Sequence, residues 1–143
     1  MVSCGGPRPV LEIDQFHLRD SSSEDGYLPF EDQVEKADRI KRLYGAVSAE
    51  ERKERLGDYY TVRWNGPLEH ENEEIRIVFD YRQAATGSAI KSMEQRLPAA
   101  SKGACEFIVN RESYRKGGRV LAWRVRYYRG GELIVTKRSY LWD

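Results

Sequence analysis

The sequence is poor in the residues on which most enzymes and metal proteins depend. Its 143 residues include only two cysteines and two histidines. It has no phosphate-binding glycine loop, no dinucleotide fingerprint, no nucleophile elbow and no His-Glu-x-x-His helix. Two cysteines are too few for a disulfide scaffold. These absences predict a protein that is not an enzyme and that uses no cofactor and no metal.

Long apolar runs are missing as well. No stretch approaches the roughly 20 apolar residues that a membrane-spanning helix needs. Hydrophobic residues make up 40% of the chain and charged residues 33%, a composition typical of a folded domain rather than a disordered one. The length suits one hydrophobic core. We therefore expect a flexible tether over residues 1–9 and a single domain over residues 10–143.

Within that domain the hydrophobic pattern changes period once. From residue 31 to about 56, apolar residues recur at three- and four-residue steps, and Ser48 with Glu51 forms a capping box. Elsewhere short segments rich in β-branched and aromatic residues alternate with turn clusters. The pattern predicts a mainly β fold, a sandwich of seven antiparallel strands, with a short helical insertion between the first and second strands. The seven strand segments are PVLEIDQFHL, DYYTVRWN, EEIRIVFDYRQ, SAIKSMEQRL, GACEFIVN, GRVLAWRVRYY and ELIVTKRSYLW.

Three of these segments carry a resemblance to a known class of domain. TVRWNGP, IVFDYRQ and AWRVRYYRGGEL follow one another, over residues 58–142, in an order similar to that of an immunoglobulin or fibronectin type III sandwich. The chain differs from antibody domains because it lacks their intersheet cysteine pair. The resemblance implies an Ig/FnIII-like topology and a binding or spacing role, since such folds host many unrelated activities.

The last hairpin allows a prediction of register. A three-residue loop, Arg129-Gly130-Gly131, would place Tyr127 opposite Leu133 and gather the apolar residues on one side of the hairpin. A two-residue loop would place Tyr127 opposite Ile134. The first register gives the better apolar face, with Trp123, Val125, Tyr127, Leu133 and Val135 turned toward the core.

The net charge of +1 hides an asymmetry along the chain. Residues 1–100 contain 14 Lys or Arg and 19 Asp or Glu, whereas residues 101–143 contain 10 and 4. Arginines and tyrosines alternate in this last part, so they share a sheet face on which they can contact an anionic partner. We expect the partner to be a protein or an anionic polymer. The candidate partner-binding residues are Arg115, Arg119, Arg124, Arg126, Tyr128 and Arg138.

The basic face has two other interpretations. The same arginines and tyrosines could bind single-stranded nucleic acid, although a pI of about 7.7 is low for a dedicated nucleic-acid domain. They could also simply cover the open face of an antiparallel sheet.

The remaining chemistry-bearing residues favour structural roles. The acidic segment from Glu69 to Glu74, with His70, matches no calcium or zinc signature, so we expect a solvated loop. Cys105 alternates with Phe107 in a strand and is expected to be a buried, inert thiol. With His17 as the other histidine, there is little material for acid–base catalysis. Of the three tryptophans, Trp64 and Trp123 are expected in the core, and Trp142 is expected to be exposed.

The first residues suggest a setting. Met1-Val2-Ser3-Cys4 resembles the end of a bacterial lipoprotein signal, and the following GGPRP resembles the tether after it. The charged and hydrophobic parts of such a signal are absent from the sequence. The resemblance implies a lipid on Cys4 and an extracytoplasmic, membrane-tethered protein.

These expectations define two hypotheses of function. The first is a non-catalytic binding or structural module of a cell-envelope lipoprotein, which engages its partner through the basic face. The alternative is a cytoplasmic protein that binds single-stranded nucleic acid or an acidic partner.

Overall fold

A computed structural model describes residues 10–19, 33–66 and 72–142 of the chain. Within them it has seven strands and three helices. Cys4, His70 and half of the acidic segment, residues 69–71, lie outside the described residues. The elements in chain order are β1 (Leu11–Leu18), α1 (Gln33–Leu43), α2 (Ala49–Arg55), β2 (Gly57–Asn65), β3 (Ile75–Gln83), β4 (Lys91–Leu97), β5 (Lys102–Asn110), α3 (Arg111–Gly117), β6 (Val120–Arg129) and β7 (Glu132–Arg138).

The strands form two antiparallel sheets. One sheet has three strands in the order β1-β2-β5, and the other has four in the order β4-β3-β6-β7. The prediction of a mainly β fold with seven antiparallel strands is therefore confirmed. Helices α1 and α2 occupy the predicted insertion between β1 and β2, whereas α3, between β5 and β6, was not predicted.

The two sheets share one hydrophobic core, which follows from the alternation of side chains along each strand. On β3, Ile75, Ile77, Phe79 and Tyr81 lie on one face and are almost completely buried, and the residues between them lie on the other face. Rings from both sheets meet there, with Tyr60, Phe79 and Phe107 stacked or tilted at centroid distances of 4.7 and 5.3 Å. The core belongs to both sheets, and each sheet has a second face turned away from it.

Helix α1 contacts the outer face of the three-stranded sheet through the side chain of Arg42. The Arg42 guanidinium lies 4.2 Å from the Tyr59 ring centroid and 5.7 Å from that of Phe16, and it pairs with Glu106. The apolar residues of the α1 pattern are not buried: Val34 is 78% exposed and Ile40 is 53% exposed. No helix among the described residues has the length and apolar character needed to span a membrane.

The predicted register of the last hairpin is wrong. Gly130 and Gly131 form a two-residue loop between Arg129 and Glu132, and both glycines have positive φ angles, 56° and 86°. Such a turn matches the twist of the flanking strands. An irregularity between Tyr127 and Tyr128 then shifts the pairing, so Tyr127 lies opposite Val135, and Leu133 is 48% exposed.

Candidate functional site

A group of charged side chains lies on the outer face of the four-stranded sheet. The alternation that buries Phe79 and Tyr127 turns their neighbours Asp80 and Arg126 to the opposite side. Paired strands bring Ser92, Asp80, Arg124 and Arg138 into one row across the sheet. We call this surface the arginine face, after Arg76, Arg82, Arg96, Arg124, Arg126 and Arg138.

A buried carboxylate organises the centre of the arginine face. Asp80 is 1% exposed. Its Oδ2 accepts bonds from Arg124 Nε at 3.0 Å and Nη2 at 2.8 Å, and from Arg126 Nε at 3.1 Å. Its Oδ1 accepts a bond from Arg126 Nη2 at 3.3 Å and another from the Ser92 hydroxyl. One carboxylate thus fixes two guanidinium groups side by side, and they keep a net positive charge.

The pKa of Asp80 records this arrangement. Burial alone would raise the pKa of the carboxyl, because it disfavours the charged form. The hydrogen bonds from Ser92 and Arg124 and the charges of Arg126 and Arg124 outweigh burial and hold the pKa of Asp80 below its ordinary value. The carboxylate is therefore ionised at neutral pH and permanently orients the two arginines.

At one side of the arginine face, a tyrosine and a glutamate hold two further arginines. The Arg76 guanidinium lies 4.2 Å from the Tyr128 ring centroid, and Tyr128 accepts a bond at 3.1 Å from Arg126. Glu94 pairs with Arg76 at 3.3 Å and with Arg96 at 2.8 Å. Among the described residues, Asp80 and Glu94 lie on this face with the six arginines, and the charge of Glu74 also acts on Arg96.

At the other side, the segment after β7 folds back over the sheet. The Trp142 ring lies under two guanidinium groups, 5.1 Å from Arg82 and 4.9 Å from Arg124. Arg82 also donates to the Leu141 carbonyl at 2.8 Å. The expectation that Trp142 is exposed is wrong, since it is only 5% exposed. Trp64 is buried in the core as predicted, and Trp123 is half-buried against it.

The structure places the candidate residues at three locations. Arg124, Arg126, Tyr128 and Arg138 lie together on the arginine face. Arg115 lies on the exposed side of α3. Arg119 lies instead beside β1 and helps to line a cleft of about 290 Å³. We call it the His17 cleft; its lining residues are Gln15, Phe16, His17, Leu18, Arg19, Glu35, Arg39 and Arg119.

The His17 cleft is a site that the sequence did not indicate. His17 lies directly opposite Asp58 in the β1–β2 pairing, and its Nε2 lies 2.9 Å from the Tyr114 hydroxyl oxygen of α3. Asp58 is fully buried and accepts the Val120 backbone N–H at 2.8 Å through Oδ2. These residues are far apart in the chain, so only the strand register and the unforeseen helix α3 bring them together.

Burial dominates the electrostatics behind this cleft. It raises the pKa of Asp58, although the Val120 hydrogen bond and the charges of His17 and Arg119 oppose it. Burial also lowers the pKa of His17, and the charges of Arg119 and Arg19 lower it further. The charge of Asp58 acts in the opposite direction. The Asp58 Oδ1 and the Tyr60 hydroxyl are buried without a hydrogen-bond partner in the described part of the chain.

The other reactive groups give no catalytic arrangement. Cys105 is half-buried, and burial raises the pKa of its thiol to about 12, so the nucleophilic thiolate is scarce at neutral pH. Among residues 10–19, 33–66 and 72–142, no three His, Cys, Asp or Glu side chains are grouped so that they could hold a metal ion.

No protein-family model, no curated protein and no solved structure matches this chain.

Proposed function

We propose that this protein is a non-catalytic β-sandwich module that binds an acidic protein segment or an anionic polymer through the arginine face. The observation that carries the proposal is the Asp80 cluster. Arg124 and Arg126 are held in place before a partner arrives, so binding costs little side-chain entropy. Their side chains remain 33% and 30% exposed, which leaves N–H groups accessible to an anion.

The charge of the surface supports an anionic partner. The six arginines outnumber the described acidic residues near them, Asp80, Glu94 and Glu74, and a surface of net positive charge speeds the encounter with a negatively charged partner. An ordered arginine also binds carboxylate or phosphate groups in a fixed geometry. The interaction is expected to weaken as salt rises, because exposed charges are screened over about 10 Å at 0.1 M.

The aromatic rings on this face make single-stranded nucleic acid the less favoured partner. Binding of single strands relies on open rings on which bases stack. The rings of Tyr128 and Trp142 are already covered by Arg76 and by Arg82 with Arg124. Tyr140, which is 99% exposed, is the ring on this part of the chain that is left for stacking.

Strand order supports the finer fold assignment that we propose here, a fibronectin type III-like sandwich. In a constant-type immunoglobulin domain the fourth strand lies beside the fifth. In this chain β4 pairs with β3 instead, within the sheet that contains β6 and β7. This arrangement favours the fibronectin type III side of the resemblance.

The proposed setting is the cell envelope, with a lipid on Cys4. It depends on the resemblance of the first residues to the end of a lipoprotein signal, and Cys4 lies outside the described residues. A mass measurement of the membrane fraction after expression of the natural gene in its host tests it. A diacylglycerol adduct on Cys4 supports this setting, and an unmodified cytoplasmic protein contradicts it.

The binding proposal is tested with a polyglutamate peptide and an oligothymidylate of equal charge. The test variant is the triple substitution Asp80→Asn, Arg124→Gln and Arg126→Gln, which removes the arginines without leaving a buried carboxylate unpaired. Arg52→Gln on α2 is the matched control, because it lowers the net charge by one, as the triple substitution does, and Arg52 is exposed and lies outside the arginine face. Circular dichroism verifies that each variant is folded.

We expect the triple variant to lose about tenfold in affinity for polyglutamate, equal to about 1.4 kcal/mol, and the α2 control to keep its affinity. Equal losses in both variants would mean that binding follows net charge alone and would contradict the assignment to the arginine face. Tighter binding of oligothymidylate than of polyglutamate would favour the nucleic-acid alternative.

A further inference from the structure

A cleft with several cationic side chains, separate from the arginine face, lies at the end of β1. We propose that the His17 cleft binds the phosphate group of a small molecule. The cleft has about 290 Å³, which suits a ligand smaller than those of typical drug-sized pockets. This binding is distinct from the contact with a macromolecule that the arginine face makes.

Two cationic side chains of the cleft are available to a ligand. Arg19 follows the last residue of β1 and Arg119 precedes the first residue of β6, and both are exposed. Neither makes a hydrogen bond or an ion pair within the described part of the chain, in contrast with Arg124 and Arg126. Guanidinium groups bind phosphate oxygens through paired N–H donors, so two of them at one opening form a natural phosphate clamp.

The His17 imidazole, which lines the same cleft as these two arginines, completes the donor set. His17 lies on the cleft wall, and the charges of Arg119 and Arg19 both act on it. It is held by the Tyr114 hydroxyl, which fixes the ring relative to α3. A bound dianion would stabilise the protonated imidazole and make it a third donor.

The groups behind the wall give an independent indication of a functional site. Asp58 and Tyr60 are both 0% exposed, and Asp58 Oδ1 and the Tyr60 hydroxyl have no partner among the described residues. Both are electrostatically linked to Arg119. Unsatisfied buried polar groups cost stability and are rare in native proteins, so their position next to a cationic cleft calls for a role. In this case the charge of the Asp58 carboxylate attracts Arg119 and His17.

The other opening of the fold lacks this combination. A groove of about 590 Å³ lies at the opposite end of the β1–β2 pair, lined by residues that include Glu12, Arg63 and Lys102. Its Arg63 is already paired with Asp14. The groove therefore offers no pair of free guanidinium groups.

The pKa of His17 depends on groups from every element packed around it. Arg19 belongs to the end of its own strand, Asp58 to β2, and Arg119 to the start of β6, while Tyr114 of α3 bonds its ring. Helix α1 adds Glu35 and Arg39 to the wall of the cleft, and both have interactions of their own. Without ligand, burial and the arginines keep the pKa of His17 low. The negative charge of a phosphate at the opening offsets the positive charges of the two arginines and raises the pKa of His17.

The test follows the imidazole signals of His17 by NMR while inorganic phosphate is added to the full chain, with His17→Gln used to assign them. We expect saturating phosphate to raise the pKa of His17 by about one unit. Arg119→Gln is expected to weaken phosphate binding about tenfold. Arg115→Gln is the matched control, because Arg115 is exposed on α3 and does not line the cleft. If Arg119→Gln does not fold, Arg19→Gln takes its place.

Three results would overturn the proposal. The first is a pKa of His17 that does not move at tens of millimolar phosphate. The second is phosphate binding that survives Arg119→Gln but is lost in the triple variant of the arginine face, which would place the anion there. The third is succinate binding as tightly as phosphate with the same shift of His17, which would make the cleft a carboxylate site.

Discussion

Asp58 and Asp80 are the same residue type, almost equally buried, and differently used. Asp80 accepts hydrogen bonds from Ser92, Arg124 and Arg126, and its pKa is held below the ordinary value. Asp58 accepts a single backbone bond, from Val120, and burial raises its pKa. The first carboxylate is fully satisfied by its neighbours, and the second has one oxygen without a partner in the described part of the chain.

This difference in hydrogen bonding and pKa indicates what each site can do. A satisfied buried carboxylate fixes the groups around it, and the arginine face is rigid because Asp80 is satisfied. A half-satisfied carboxylate costs stability, and in the cleft next to it Arg19 and Arg119 have no hydrogen-bonded partner among the described residues. The first site is organised in advance for a large anionic surface, whereas the second can still gain energy when a small anion arrives.

Removal of the Asp80 carboxylate is expected to have the largest effect. Asp80→Ala leaves two adjacent guanidinium groups on the sheet without their counter-charge, and we expect the free energy of unfolding to fall by about 3 kcal/mol. Urea titration measures it. The matched control is Glu94→Ala, on the same face, whose more exposed ion pairs should contribute little. Equal losses in the two variants would mean that Asp80 is no better satisfied than a surface carboxylate.

The sequence could predict the Asp80 site in part. Alternation along β3 and β6 follows from the side-chain period of two, so a face rich in arginine is visible in AWRVRYYRGGEL. The aspartate at its centre was missed, because its role depends on which strand lies beside β6. Trp142 was misjudged for a similar reason: the chain end folds back over Arg82 and Arg124, a contact that no local pattern encodes.

The His17 cleft could not be predicted from the sequence. His17, Asp58 and Tyr114 are brought together by the β1–β2 register and by helix α3, whose segment RESYRKG lies between two strand patterns. Gln83 holds this helix from the core, with Nε2 donating to the Ser113 and Gly118 carbonyls at 2.9 Å each. A polar residue at the end of an apolar strand gives no sign of such a partner.

Neutralisation of Asp58 should have a smaller effect of opposite sign. In Asp58→Asn the amide oxygen can still accept the Val120 N–H, and the buried charge is removed, so we expect a gain of about 1 kcal/mol in the free energy of unfolding at pH 7. A loss of similar size would mean that the charge of Asp58 is as well compensated as that of Asp80.

The pH dependence of the free energy of unfolding provides a control for the prediction on Asp58→Asn. The pKa of Asp58 is raised in the folded state, so the folded protein takes up a proton first and gains stability as the pH falls through that pKa. The pKa of His17 is lowered, so its protonation acts in the opposite direction below about pH 6.5. The comparison is therefore made in the His17→Gln background. There, the acid-side gain is expected with Asp58 present and is expected to be absent after Asp58→Asn.

The smallest expected change in stability comes from removing one hydrogen bond from Asp80, so that it accepts fewer bonds, as Asp58 does. Ser92→Ala removes the hydroxyl that donates to Asp80 Oδ1, and Ser92 is exposed, so alanine fits without strain. We expect a loss of about 0.5 kcal/mol in the free energy of unfolding and a rise in the pKa of Asp80, followed by NMR of its carboxyl carbon.

Because the folded pKa of Asp80 lies below its unfolded value, its contribution to stability is present above that unfolded value and is lost as the pH falls through the folded pKa. In Ser92→Ala this loss should begin at a higher pH. Ser88→Ala, in the exposed turn before β4, should change neither quantity. If the pKa of Asp80 stays unchanged in Ser92→Ala, Arg124 and Arg126 alone determine it. The two aspartates would then differ by their charged neighbours and not by the number of hydrogen bonds that each accepts.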